Sequence, residues 1–200
     1  DAIANYKSEI TGDAASGFTV TNTNIEKVTV PVEKKWVGKS TNKVEVKLLA
    51  DGTEKGSADL TAADSWKHEF KNLPKYDSAD GHEIVYTIKE VKISGYNTVI
   101  SGTAKDGFTI TNTITGKVSI PVTKKWVGPE GTSATIRLFA GNSEVGSVTL
   151  NKANNWKHTF ANLPKYKGGK EIKYVIKEDA VGGYTTKVTG DSAGFVITNT

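Results

Sequence analysis

Residues 27–39 read KVTVPVEKKWVGK, and residues 117–129 read KVSIPVTKKWVGP. Each stretch is rich in β-branched residues and alternates apolar with polar, the pattern of a half-buried strand. Successive strand residues point to opposite faces, so Val28, Val30, Val32, Lys34 and Trp36 share one side. Lys27, Thr29, Pro31, Glu33 and Lys35 share the other. The apolar face must meet a core, which carries Lys34 inward and leaves Lys35 in solvent. The second stretch sends Val118, Ile120, Val122, Lys124 and Trp126 inward and Lys125 outward. Pro31 predicts that the strand borders a sheet edge over part of its length.

Everything downstream of these stretches also occurs twice. SWKHEFKNLPKY from Ser65 returns as NWKHTFANLPKY from Asn155, and EIVYTIKE from Glu83 returns as EIKYVIKE from Glu171. GFTITNT from Gly107 returns as GFVITNT from Gly194, in the same order. These are two copies of one domain, residues 24–113 and 114–200. A partial third copy, residues 1–23, precedes them: YKSEITGDAASGFTVTNT from Tyr6 matches YNTVISGTAKDGFTITNT from Tyr96. It is expected to be the C-terminal tail of an upstream repeat, and the chain, which starts at Asp1, a piece of a longer tandem array. No Pro-rich or Ser/Gly-rich linker separates the copies, which predicts limited hinge freedom and an elongated rod.

Period-2 runs punctuated by Gly, Asp, Asn and Pro, with hairpin turns expected at 50–52 and 140–142, predict about seven short strands per copy. That number fits an all-β fold of immunoglobulin-like sandwiches. Hydrophobic residues make up 36% of the chain, too many for disorder and enough for small cores. Lys and Arg number 26 against 22 Asp and Glu, a diffuse +4 that argues against a nucleic-acid partner. No apolar run is long enough to span a membrane as a helix. The chain has no cysteine, which removes disulfides, Cys-ligated metal and thiol catalysis together. The three histidines are too scattered for a zinc site, and Asp51, Asp59 and Asp64 do not make an EF-hand loop. No metal or cofactor is expected.

The same alternation sorts two further strands. Ile84, Tyr86, Ile88 and Glu90 share a face, as do Phe108, Ile110 and Asn112. The second copy repeats this with Ile172, Tyr174, Ile176 and Glu178, and with Phe195, Ile197 and Asn199. Each copy therefore aims one Lys, one Glu and one Asn at its core. Burying unpaired charges costs several kcal/mol or more. One reading is a structural Lys–Glu ion pair with the Asn as hydrogen-bond partner. The other is covalent: desolvation favours a neutral, nucleophilic amine and a protonated acid. The amine attacks the Asn carboxamide, the acid shuttles protons, ammonia leaves and an amide joins Lys to Asn. Trp66, His68 and Phe70 share a face, as do Trp156, His158 and Phe160; each His is expected to be an aromatic-like residue at the core edge. Tyr96 and Tyr184 carry only a weak signal for a surface ligand patch.

The KxW of the first strand, the WxxxFxxLPxY segment, the YxIKE strand and the closing TNT together resemble Cna B-type domains. These are the B-repeat domains of Gram-positive collagen adhesins and of pilins. The resemblance covers both complete copies and the tail fragment. It implies tandem inverse immunoglobulin-like (prealbumin-like) β-sandwiches, each with a self-formed Lys–Asn isopeptide bond between first and last strands, promoted by an acidic residue. By position, Lys34, Asn112 and Glu90 form one site, and Lys124, Asn199 and Glu178 the other. Asn22 occupies the matching place in the tail and is expected to be unreacted. The bonds would close loops of 78 and 75 residues, each worth roughly 4 kcal/mol if a cross-link acts as a disulfide does.

The resemblance implies a structural stalk in a cell-wall-anchored surface adhesin, extracellular and monomeric. Its partners would be neighbouring repeats, and a host extracellular matrix protein contacted through other regions. A pilus shaft subunit and a host-matrix-binding module are the alternatives. A turnover enzyme is not expected, because the chemistry consumes its own side chains.

Overall fold

The computed structural model describes residues 3–200. The chain separates into two compact units, residues Asp1–Thr113 and Ile114–Thr200. Unit 1 opens with a hairpin of β1 (Tyr6–Asp13) and β2 (Gly17–Asn24), which pair only with each other. Its apolar residues Ile10, Phe18 and Val20 are exposed.

The complete repeat of unit 1 follows as β3 (Lys27–Val37), β4 (Lys43–Ala50), β5 (Thr53–Thr61), β6 (Lys67–Pro74), β7 (Tyr86–Glu90), β8 (Tyr96–Thr103) and β9 (Gly107–Ile114). A four-stranded sheet in the order β6-β3-β9-β8 accompanies a three-stranded sheet in the order β5-β4-β7. Val30, Val46, Leu48, Leu60 and Ile110, drawn from both sheets, are at most 1% exposed and form one core. Burial of each such side chain contributes roughly 1.5–3 kcal/mol. The β4–β5 turn carries Asp51 and Gly52 at φ 48° and 80°, the positive pair that a two-residue hairpin of matching twist requires.

Strand β3 is central, antiparallel to β6 and parallel to β9. Its pairing with β9 runs from Val32 to Val37, while pairing with β6 covers Lys27 to Glu33. Pro31 thus sits just before the first β9 partner, where the strand has a neighbour on one side. A register shift between Val28 and Val30 marks a bulge there.

Unit 2 repeats the plan as β10 (Lys117–Trp126), β11 (Ser133–Ala140), β12 (Ser143–Asn151), β13 (Lys157–Pro164), β14 (Tyr166–Lys167), β15 (Lys170–Glu171), β16 (Tyr174–Glu178), β17 (Thr186–Asp191) and β18 (Gly194–Asn199). Its sheets run β13-β10-β18-β17 and β12-β11-β16, with β14 and β15 forming a small added ribbon. A single 3-10 turn, Lys152–Asn154, is the only helical element among the described residues. No helix is long and apolar enough to cross a membrane.

Candidate functional site

The parallel pairing of first and last strands sets the geometry of each site. In unit 1 Lys34 pairs with Ile110 and Trp36 with Asn112, so Lys34 and Asn112 lie two residues apart on neighbouring strands, on one face. In unit 2 Lys124 pairs with Ile197 and Trp126 with Asn199, the same register. Diagonal neighbours of this kind are within reach of a long side chain. The glutamates come from the facing sheet, where Glu90 pairs with Val46 and Glu178 with Ile136.

All three side chains in each unit point inward. Lys34 and Asn112 are 3% and 0% exposed, as are Lys124 and Asn199, and the Glu178 side chain is fully covered. The rival lysines Lys35 and Lys125 are exposed. Lys34 Nζ lies 2.9 Å from Glu90 Oε2, and Lys124 Nζ lies 2.9 Å from Glu178 Oε1, both contacts off the hydrogen-bonding direction. Asn112 Nδ2 donates to Glu90 Oε1 at 2.7 Å. The Glu90 carboxyl therefore stands between two nitrogens, the lysine amine on one oxygen and the asparagine amide on the other. In unit 2 the Asn199 carboxamide has no hydrogen-bond partner.

Burial pushes the Lys34 and Lys124 ammonium groups below the ordinary lysine range, and the adjacent glutamates oppose the shift only in part. Among the described residues, nearly every buried side-chain polar atom without a hydrogen-bond partner gathers at these two places. They are Lys34 Nζ, Trp36 Nε1, Glu90 Oε2 and Asn112 Oδ1, with Lys124 Nζ, Trp126 Nε1, Glu178 Oε1 and both polar atoms of the Asn199 side chain. Trp156 Nε1, on the ring against Trp126, is the remaining one. Folded proteins rarely leave such atoms unpaired without a reason.

The sequence reading did not single out the aromatic cover of the amine. Trp36 places its ring 4.4 Å from Lys34 Nζ, and Trp126 lies 4.3 Å from Lys124 Nζ. Tyr96 and Tyr184 pack edge-on against these tryptophans, and their hydroxyls donate to the Lys39 and Pro129 carbonyls at 2.6 Å. The two tyrosines thus cap the site. Their only sequence signal was recurrence at matched places. His68 and His158 pack edge-on against Phe70 and Phe160.

A different cluster belongs to unit 1 alone. Asp77, Asp80 and His82 bring one ligand-type atom each within 4.8 Å of one another. His82 Nδ1 lies 2.5 Å from Asp80 and Nε2 lies 3.1 Å from Asp51, tying the 77–82 loop to the β4–β5 turn. These two carboxylates push the His82 imidazole up to about 8. Asp77 and Asp80 also accept from the backbone N–H groups of Ala79 and His82, the ordinary chemistry of an Asx turn. In unit 2 the corresponding segment is the β14–β15 ribbon.

The family model for the Cna protein B-type domain matches residues 30–113 and again 120–200. A collagen adhesin of Staphylococcus aureus is 38% identical over 202 residues; the alignment takes in 92% of this chain and 16% of that protein's length. The crystal structure of two B repeat units of the Staphylococcus aureus collagen-binding protein is 34% identical, covering all of this chain and 56% of that one at a TM-score of 0.45. A shaft pilin of Lactobacillus rhamnosus GG is similar at 13% identity over 88% of this chain and 98% of that one, with a TM-score of 0.35. Two successive matches to one family model, and a close relative spanning nearly the whole chain, place this protein in the family of Cna protein B-type domains.

Proposed function

We propose that the chain forms structural stalk repeats of a Gram-positive surface adhesin, each locked by a Lys–Asn isopeptide bond that forms without an external enzyme. In this reading residues 24–113 and 114–200 are complete repeats, and residues 1–23 are the tail of an upstream one. Lys34 joins Asn112 with Glu90 as proton shuttle; Lys124 joins Asn199 with Glu178. The family is one of structural repeats and not of enzymes, and each site would turn over once.

The observation that carries the reading is the Glu90 carboxyl between the two nitrogens that must exchange a proton. The neutral Lys34 amine attacks Asn112 Cγ. The Nζ–Cγ bond forms, the Cγ–Nδ2 bond breaks, and the amine proton reaches the departing nitrogen through Glu90, so that ammonia leaves. A secondary amide then replaces an amine and a carboxamide. Four N–H donors become one, which relieves the crowd of unpartnered polar atoms in the core. Contact in a water-excluded site supplies the effective concentration such a slow reaction needs.

The mechanical consequence follows from strand order. The strands that carry the chain into and out of each repeat, β3 and β9 or β10 and β18, lie side by side. Tension would pass across the amide and leave the rest of the repeat unloaded. Such a stalk holds together outside the cell without disulfides, while collagen contact of the kind the staphylococcal relative is named for would fall to other regions of the parent protein.

Intact mass under denaturing conditions tests the chemistry. The chain should be lighter than its sequence by two ammonia molecules, and by one in Glu90→Ala or Glu178→Ala. The unmodified mass would reduce both sites to buried polar networks. A saturable matrix partner for the isolated repeats would favour a binding module over a stalk.

A further inference from the structure

We infer that Thr98 and Thr186 are positioning residues for the cross-linking step, each hydroxyl holding the glutamate oxygen that faces away from the lysine. The inference rests on the isopeptide reading above. Each hairpin carries a hydroxyl residue two places after a tyrosine: Ser8 after Tyr6, Thr98 after Tyr96 and Thr186 after Tyr184. Ser8 stands directly across the ladder from Asn22, and Thr186 directly across from Asn199.

What the hydroxyl does depends on whether a glutamate faces it. In the β1–β2 hairpin Ser8 Oγ donates to Asn22 Oδ1 at 2.5 Å. In the complete repeats the hydroxyl turns to the carboxyl instead. Thr98 Oγ1 donates to Glu90 Oε1 at 3.1 Å, and Thr186 Oγ1 donates to Glu178 Oε2 at 2.6 Å. The lysines approach the opposite oxygens, Glu90 Oε2 and Glu178 Oε1. In unit 1 the oxygen that Thr98 holds is also the one that accepts from Asn112.

The carboxyl torsion of glutamate is broad and two-fold, so the side chain alone does not decide which oxygen faces which nitrogen. A threonine on a strand is stiff at χ1 and presents a donor in a fixed direction. Both threonines are exposed, at the rim of sites whose other members are buried. Each hydroxyl closes the outer side of its site and orients the carboxyl so that one oxygen takes the proton from the amine and the other delivers it to the leaving nitrogen. A shuttle misaligned in this way loses rate and not fold.

The test follows bond formation in the full chain with the second site silenced by Asn199→Ala. Protein made by cell-free synthesis is quenched in acid at intervals, and the loss of one ammonia is timed by intact mass. Thr98→Val, of the same shape without the donor, should slow the loss about tenfold, the upper range expected for one lost hydrogen bond. Thr98→Ser should restore the rate to within a few fold, which a merely structural threonine would not predict. An unchanged rate in Thr98→Val, or equal slowing in Thr98→Ser, overturns the inference and leaves the cross-link standing. Absence of ammonia loss in the Asn199→Ala parent overturns the isopeptide reading and this inference with it.

Discussion

Glu90→Gln tests the cross-link in unit 1. Glutamine keeps the shape of the side chain but cannot shuttle a proton, so Lys34 and Asn112 should remain separate. Without the bond the unfolded chain regains the freedom of a 78-residue loop between residues 34 and 112, which the disulfide relation values at about 4 kcal/mol. The variant also keeps a buried amine that has lost its carboxylate. A buried amine left without its acidic partner adds to that cost. The loss is thus at least about 4 kcal/mol, set against about 5–15 kcal/mol for a whole domain. At about 4–8 °C per kcal/mol for a unit of this size, the first repeat should melt at least 16 °C lower. Scanning calorimetry of the full chain measures this, with the second repeat as internal reference. Asn112→Ala removes the bond and keeps the Lys34–Glu90 pair, so it should retain the cross-link share of the loss. A Glu90→Gln chain still lighter by two ammonia molecules would refute the proton-shuttle role. A shift of a few degrees would refute the claim that the cross-link carries the stability.

Glu178→Gln should lower only the second transition, while Lys35→Ala and Lys125→Ala should leave mass and melting unchanged, because both side chains lie in solvent. The His82 ring should titrate in NMR with a midpoint near 8, well above its ordinary 6.5. Its folded-state value is raised, so its stabilisation of the 77–82 loop is full below about pH 6.5 and is lost as pH rises through 8; a midpoint near 6.5 would break the link to Asp51 and Asp80. Gly102, at φ 97°, would drive an added Cβ into the Gly107 carbonyl oxygen. Gly102→Ala should therefore destabilise unit 1 by about 1–3 kcal/mol in urea titration, and an unchanged midpoint would contradict the turn geometry.

Much of this was legible without coordinates. The side chains of Lys34 and Lys35 go to opposite environments because strand alternation is local, and both repeats obey it. The Asx turn that binds His82 was not legible. His82 is one of three scattered histidines in the sequence, and its partner Asp51 lies 31 residues away on a different turn. The structure differs again at Tyr96 and Tyr184. They read as exposed aromatics but serve as caps, because the tryptophans they cover come from the other end of each repeat.

By itself, the sequence determined that the chain is built of repeats, that each is a two-faced β-structure, and that a Lys, a Glu and an Asn turn inward in each. These follow from periodicity and from the cost of exposing apolar faces, both properties of neighbouring residues. Only the tertiary structure decided that the first and last strands run side by side with Lys34 diagonal to Asn112. It alone decided that Glu90 crosses from the facing sheet to touch both, and that Thr98 holds the carboxyl's far oxygen. Those contacts join residues 8 to 78 positions apart. They depend on strand register and on how two sheets face each other, which minimise the buried area and unpaired polar groups of the whole repeat and leave no mark in any local stretch.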